Sequence, residues 1–171
     1  MQKEQKVQKM QKIIIHGGCG AREDKNTPFS DYHVHLLTII EEAYAFLKTY
    51  DNALKTAVFA AKLLEDDPLF NAGTGSRLQQ DGQVRMSASI MNGAKAKFAG
   101  VINIQNIQYP SEVALALLNE HHSVRAADEA TRFAHETLKM PEYNPITEHR
   151  YQEYLELKKR LNRDYWCCRT R

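Results

Sequence analysis

Between Leu64 and Met91 the chain cannot stay helical, and what it does instead constrains everything around it. Pro68 follows an apolar-periodic run and disfavours helical geometry in the residue before it, so a helix has to stop there. Leu69-Phe70-Asn71-Ala72-Gly73-Thr74-Gly75-Ser76 then forms a loop with two glycines and no charge. Asp81-Gly82 reads as a hairpin turn, because glycine tolerates the positive φ that tight turns need. Val84, Met86, Ala88 and Ile90 alternate onto one strand face. A loop so poor in charge carries many backbone carbonyls that need partners once buried, and a bound cation is one kind of partner.

The flanking segments read as a mixture of helices and strands. Ile13-Ile14-Ile15 is β-branched, uninterrupted and stopped by glycines, which predicts a short buried strand. His16 at its end is either a ligand or base, or a partner for nearby backbone. The second reading is favoured, since no second ligand or paired nucleophile stands at a recognisable spacing. Gly17, Gly18 and Gly20 lack the spacing of a dinucleotide fingerprint and the lysine of a P-loop; close approach of another backbone is the simpler role. After a polar loop at 22–29, Ser30 is the expected N-cap of a helix to Tyr50. Asp51 is the expected cap of a second helix that Pro68 bounds. Asp66 and Asp67 could form a catalytic carboxylate pair, but such pairs need two different environments, which neighbours at a helix end rarely have.

Beyond the turn, Gly93 to Lys97 reverses the chain and Ala99 to Ile104 reads as a second strand. Ser111 is the expected cap of a helix with Val113, Ala114, Leu117 and Leu118 inside. His121 and His122 are adjacent and cannot share a face, so a surface turn is expected. A further helix is expected over 126–138. Tyr143-Asn144-Pro145 breaks the chain, and Thr147 caps a charged helix to about Arg163.

Length and charge narrow the class. The 171 residues suffice for one domain with a core. The net charge of +2 hides an uneven distribution: residues 1–12 hold four lysines and one glutamate, and residues 148–171 hold seven basic and four acidic residues. The middle is therefore acidic, which argues against a nucleic-acid-binding face. No apolar run approaches the length of a membrane span, and residues 1–12 lack the apolar centre of a signal peptide. Three cysteines without zinc-like spacing point to a reducing cytoplasm. The adjacent Cys167 and Cys168 are not expected to form a metal site.

Three motifs in order carry a family resemblance. His-Gly-Gly-Cys-Gly-Ala at 16–21, Leu-Phe-Asn-Ala-Gly at 69–73 and Ala-Ser-Ile-Met at 88–91 resemble the plant-type asparaginases and isoaspartyl peptidases, hydrolases with an N-terminal threonine nucleophile. The resemblance spans roughly residues 13–166. It implies an α/β fold, the four-layer αββα sandwich of the Ntn hydrolases, with this chain supplying the α-subunit part. Residues 1–12 read as a disordered or frayed tail; the resemblance implies a domain part at 13–142 and a mobile linker from 143 to 171 upstream of a self-cleavage site. The carbonyls of Leu64, Glu65, Asp67, Phe70, Ala72 and Thr74 would wrap a structural sodium ion, and no catalytic cofactor is implied. Asn71 would lie close to the active site, though a turn asparagine bonding its own backbone is an equal reading. Ser87 departs from the aspartate the family often has there, and Ser-Val-Arg-Ala-Ala at 123–127 is a poor match to the family's more apolar strand-like run.

The resemblance places the nucleophile, the oxyanion donors and the substrate-holding arginine and aspartate in a β-subunit, within an (αβ)2 assembly acting on asparagine or β-aspartyl dipeptides. Thr170 lies between two arginines rather than beside glycine and valine, so it is not expected to be that nucleophile, and the chain alone is expected to be inactive. Alternatives are a catalytically dead truncated or frame-shifted product, a glycosylasparaginase-type relative, or an unrelated α/β binding module.

Overall fold

The structure, a computed structural model, describes residues 10–18 and 28–167, with 161–167 as backbone only. The expectations for the tail before Met10, for Gly20, for most of the 22–29 loop, for Cys168 and for Thr170 lie outside these residues. Two long helices come first, α1 (Phe29–Tyr50) and α2 (Ala53–Asp66). Their apolar stripes meet: Ile39, Ala43 and Leu47 of α1 are buried, and Phe46 stacks on Phe59 with ring centroids 4.5 Å apart. The caps differ from expectation. Pro28 precedes α1 without any side-chain cap, and the Ser30 hydroxyl donates to Asp31 instead, at 3.3 Å. Asp51 closes α1 in the left-handed region, its N–H donating to the Leu47 carbonyl. Asn52 then caps α2 by accepting from the Lys55 N–H at 3.0 Å. An aspartate tolerates that left-handed geometry, which hands the capping role to the next residue.

Among the described residues the sheet has three strands in the order β1 (Met86–Asn92), β2 (Lys97–Ile104) and β3 (Val124–Ala126). β1 and β2 are antiparallel across a 3-10 turn at Gly93–Lys95, and β3 runs parallel to β2. So the segment read as a poor strand does pair: Gly100 N–H donates to the Ser123 carbonyl at 2.9 Å. Sheet pairing here overrides weak local propensity. The alternation from Val84 to Ile90 is borne out, with Val84 and Met86 buried in the core. A register shift opposite Met86 and Ala88, with Asn103 at φ 55°, puts Ile102 and Asn103 both outward and turns Ile104 back into the core. That is the local effect of a bulge.

Helix α3 (Pro110–Leu117) and α4 (Ala127–Arg132) cover one sheet face. The helix expected over 126–138 is interrupted, since Phe133–Thr137 winds as a π turn. Ile104, Ile107, Leu117, Val101 and Val113 are the largest fully buried side chains. Among the described residues nothing covers the opposite sheet face: Met91, Phe98, Ile102 and Val124 are 45–67% exposed on it. A last helix, α5 (Glu148–Cys167), is capped by Thr147 as expected, through an Arg150 N–H bond of 3.3 Å.

Ile13 to Ile15 is not a buried strand. The segment forms no ladder, and Ile14 is 93% exposed while Ile13 and Ile15 are half-buried. Residues 12–16 line a cleft of about 390 Å3 with Leu47, Ala57, Ala60 and Leu64. The two-faced alternation of a strand is there, but among the described residues no neighbouring strand lies beside it. Among the described residues, too, no helix is long and apolar enough to cross a membrane.

The two sheet faces should respond differently to substitution. Ile104→Ala should cost about 2–5 kcal/mol, whereas Phe98→Ser should stay within about 0.5 kcal/mol and reduce self-association. Denaturant titration with light scattering on both variants checks this.

Candidate functional site

The loop after α2 is tied down from every side. Glu65 does most of the tying. Its backbone carbonyl accepts from the Thr74 N–H at 2.7 Å. Its carboxylate accepts from the Ser111 N–H at 3.0 Å and the Ser111 hydroxyl at 2.6 Å. Ser111 is therefore not the cap of α3: Pro110 occupies the first turn after Tyr109, and a carboxylate from another helix satisfies the free N–H groups at that end. Glu65 is 5% exposed. Burial pushes its carboxyl from an ordinary 4.5 up to about 7, against the two Ser111 bonds, which favour the ionised form.

Glycine is required at two points. Gly73 has φ 49°, and a Cβ there would lie 2.3 Å from the Glu65 carbonyl and 2.7 Å from the Gln108 carbonyl. Gly75 has φ 83°, and its Cβ would lie 2.6 Å from the Pro68 carbonyl. Gly17 instead faces side chains, since a Cβ on it would meet the Phe70 ring at 2.8 Å. Close approach is thus to an aromatic ring there, not to backbone as expected.

The named residues separate by role. Asp66 and Asp67 do not form a pair: Asp66 accepts from Gln108 Nε2 at 2.8 Å. Asp67 accepts from the Leu69 N–H at 3.0 Å and meets His35 Nδ1 at 2.5 Å. Asn71 Oδ1 accepts from the Arg77 N–H at 2.8 Å, closing the loop on its own backbone. His16 is exposed, and its Nδ1 accepts from the Gly18 N–H at 3.2 Å, the local role expected of it. His121 and His122 sit exposed in a turn.

Among the described residues, no group of three or more His, Cys, Asp or Glu side chains is placed to hold a metal ion. A carbonyl site has different requirements. The Glu65 and Asp67 carbonyls each accept one N–H, from Thr74 and from Phe70 at 3.1 Å, and each keeps a second lone pair. A larger cleft, about 550 Å3, is lined by Gln105, Asp128, Arg132, His135 and Glu136 among others; it contains none of the residues singled out from the sequence.

Three groups had no sequence signal that separated them from solvated charges. They are the Glu65 side chain, the His35–Asp67 pair and Arg150. The Arg150 guanidinium donates to the Gly75 carbonyl at 2.7 Å and the Leu69 carbonyl at 3.2 Å.

With this geometry in place, comparison with known proteins is decisive. Residues 9–167 match the profile of the Asparaginase family. The chain belongs to this family. An isoaspartyl peptidase/L-asparaginase of Nostoc sp. is 43% identical over 151 residues, covering 88% of this chain and 47% of that protein. One from Synechocystis sp. is 40% identical, over 85% of this chain and 44% of its own length. A plant-type L-asparaginase of Pyrococcus horikoshii is 36% identical, over 90% and 51% respectively. The resemblance carried by the three motifs is thus borne out. The chain spans about half the length of these curated relatives. Within the Leu69 to Gly73 motif, Gly73 admits no side chain.

Two outcomes follow. Gly73→Val should cost on the order of 3 kcal/mol or more through backbone strain and overlap, while Asp66→Ala should stay near about 1 kcal/mol; thermal melts of both variants rank them. The raised pKa of Glu65 means that folding favours its protonated form. Its contribution is fully present below about pH 4.5 and is lost as pH rises through about 7. In sodium-free buffer the melting temperature should therefore fall between these limits, and Glu65→Gln should flatten that slope.

Proposed function

We propose that this chain is the α-subunit portion of an isoaspartyl peptidase/L-asparaginase that hydrolyses β-aspartyl dipeptides and the side-chain amide of asparagine. The observation that carries the reading is the match to relatives so named at 43% and 40% identity over most of this chain. In this reading the half of the relatives' length that the chain does not span supplies an N-terminal threonine nucleophile, freed by autocatalytic cleavage. Such a nucleophile is activated by its own α-amino group. The same half supplies the donors that stabilise the oxyanion.

This chain's contribution is to build and orient. The loop 64–76 would hold a sodium ion through the carbonyls of Leu64, Glu65, Asp67, Phe70, Ala72 and Thr74, giving the loop a fixed central charge. Asn71 would stand beside the substrate, its side chain held by the Arg77 N–H. The bare sheet face, with Met91 and Phe98 exposed, and the two-faced segment at 12–16 supply the surfaces on which a four-layer αββα sandwich with a β-subunit would close. Two such αβ units would make the (αβ)2 assembly, working in a reducing cytoplasm.

Amide hydrolysis needs nucleophile, base and oxyanion donors within hydrogen-bond reach of one another. Purified chain 1–171 should therefore release no ammonia from asparagine and no aspartate from β-aspartyl dipeptides. Losing a nucleophile removes about a million-fold of rate in a well-studied hydrolase. An extended precursor carrying the second half should first cut itself and then turn over substrate. Turnover by chain 1–171 alone, surviving repurification, would overturn the reading.

A further inference from the structure

The start of α5 is fastened to the loop after α2 by contacts that a solvated helix would not make. Arg150 is 6% exposed in an otherwise strongly charged helix. Its guanidinium spans the two ends of one loop: Nη2 donates to the Leu69 carbonyl at 3.2 Å and Nε to the Gly75 carbonyl at 2.7 Å. Nη1 donates to Glu153 at 2.8 Å, which balances the charge. The planar fork of arginine can serve several acceptors at once, which an ammonium cannot do in the same geometry. Just before α5, the Gly75 N–H donates to the Pro145 carbonyl at 2.8 Å, and the Tyr143 hydroxyl meets the Thr74 hydroxyl at 2.7 Å. One turn further along α5, the Tyr154 hydroxyl lies 3.2 Å from where a Cβ on Gly82 would stand.

We propose that Arg150 is a positioning residue and that residues 143–154 form a strap: seating of α5 and closure of the loop 69–75 are one equilibrium. Between the two carbonyls that Arg150 bridges lie Phe70, Asn71, Ala72, Gly73 and Thr74. Their other backbone and loop bonds are local: Phe70 N–H to the Asp67 carbonyl, Thr74 N–H to the Glu65 carbonyl, Ser76 N–H to the Gly73 carbonyl and Asn71 to the Arg77 N–H. With the guanidinium withdrawn, two carbonyls lose a charged donor, the Gly75 one in a buried setting and the Leu69 one in a partly buried one. Such groups are costly to leave unpaired, so the loop opens to water to satisfy them. Whatever displaces α5 thereby reshapes the loop, and whatever tightens the loop holds α5 in place. The strap stands on these contacts alone. Its link to the active site and to a cation rests on the function proposed above.

The test is amide hydrogen exchange on chain 1–171, in sodium buffer and in choline buffer, for the native chain, Arg150→Met, Arg150→Lys and the exposed control Arg160→Met. The methionine variant should speed exchange at Thr74, Gly75 and Arg77 about ten-fold or more, and should expose residues 148–154 to protease. The lysine variant, reaching one carbonyl, should keep intermediate protection. Exchange at Ala99 and Val101 should stay within about two-fold in all variants. Acceleration equal in both buffers supports the strap and counts only against a cation in the loop. Unchanged loop exchange in the methionine variant overturns the proposal. So does an equal loss of protection at Ala99 and Val101 in both Arg150 variants, which would make Arg150 a general stability residue.

Discussion

The hydrogen bonds made by Glu65 are the contacts on which the remaining architecture depends. One residue near the end of α2 uses its carbonyl to fix the glycine loop and its carboxylate to complete the start of α3. The helix layer of α1 and α2 is thereby joined to the helix layer that covers the sheet. A buried carboxylate is expensive to maintain unless hydrogen-bonded, and here two donors from one residue offset only part of that cost. The same burial that makes the contact strong leaves its carboxyl poised near neutrality.

Much of this arrangement was legible in the sequence where local chemistry decides the outcome. Pro68 ended α2, Gly73 marked a backbone geometry closed to other residues, and the alternation from Val84 to Ile90 named the inward face of β1. Caps were read less well. Ser30, Asp51 and Ser111 all have the right chemistry, but a proline, a left-handed aspartate and a remote carboxylate took or changed their roles. Capping depends on which acceptor arrives first in three dimensions, and spacing alone does not contain that.

Long-range polar contacts were not legible at all. Arg150 and Glu65 look, in sequence, like members of solvated charged stretches. Their partners lie 75 and 46 residues away, and no periodicity links positions so far apart. Ile13 to Ile15 shows the opposite failure. Its strand pattern was real, but a strand needs a hydrogen-bonding neighbour, and the pattern cannot say whether one is present. At Val124 to Ala126 the neighbour was present, and three unpromising residues became a strand.

The order of strands also sets an order of events. β1 and β2 are joined by a short turn, so their ladder closes a small loop and can form in about 1–10 μs, as hairpins do. β3 joins β2 only after the chain has passed through α3, and a longer closure costs more entropy. With three residues and one neighbour, β3 has the fewest ladder bonds to lose. The sheet should therefore assemble from the hairpin outward and fray from β3 inward. The bulge at Asn103 lies in the strand shared by both ladders, so the last pairing to form is aligned by a kink that belongs to the first.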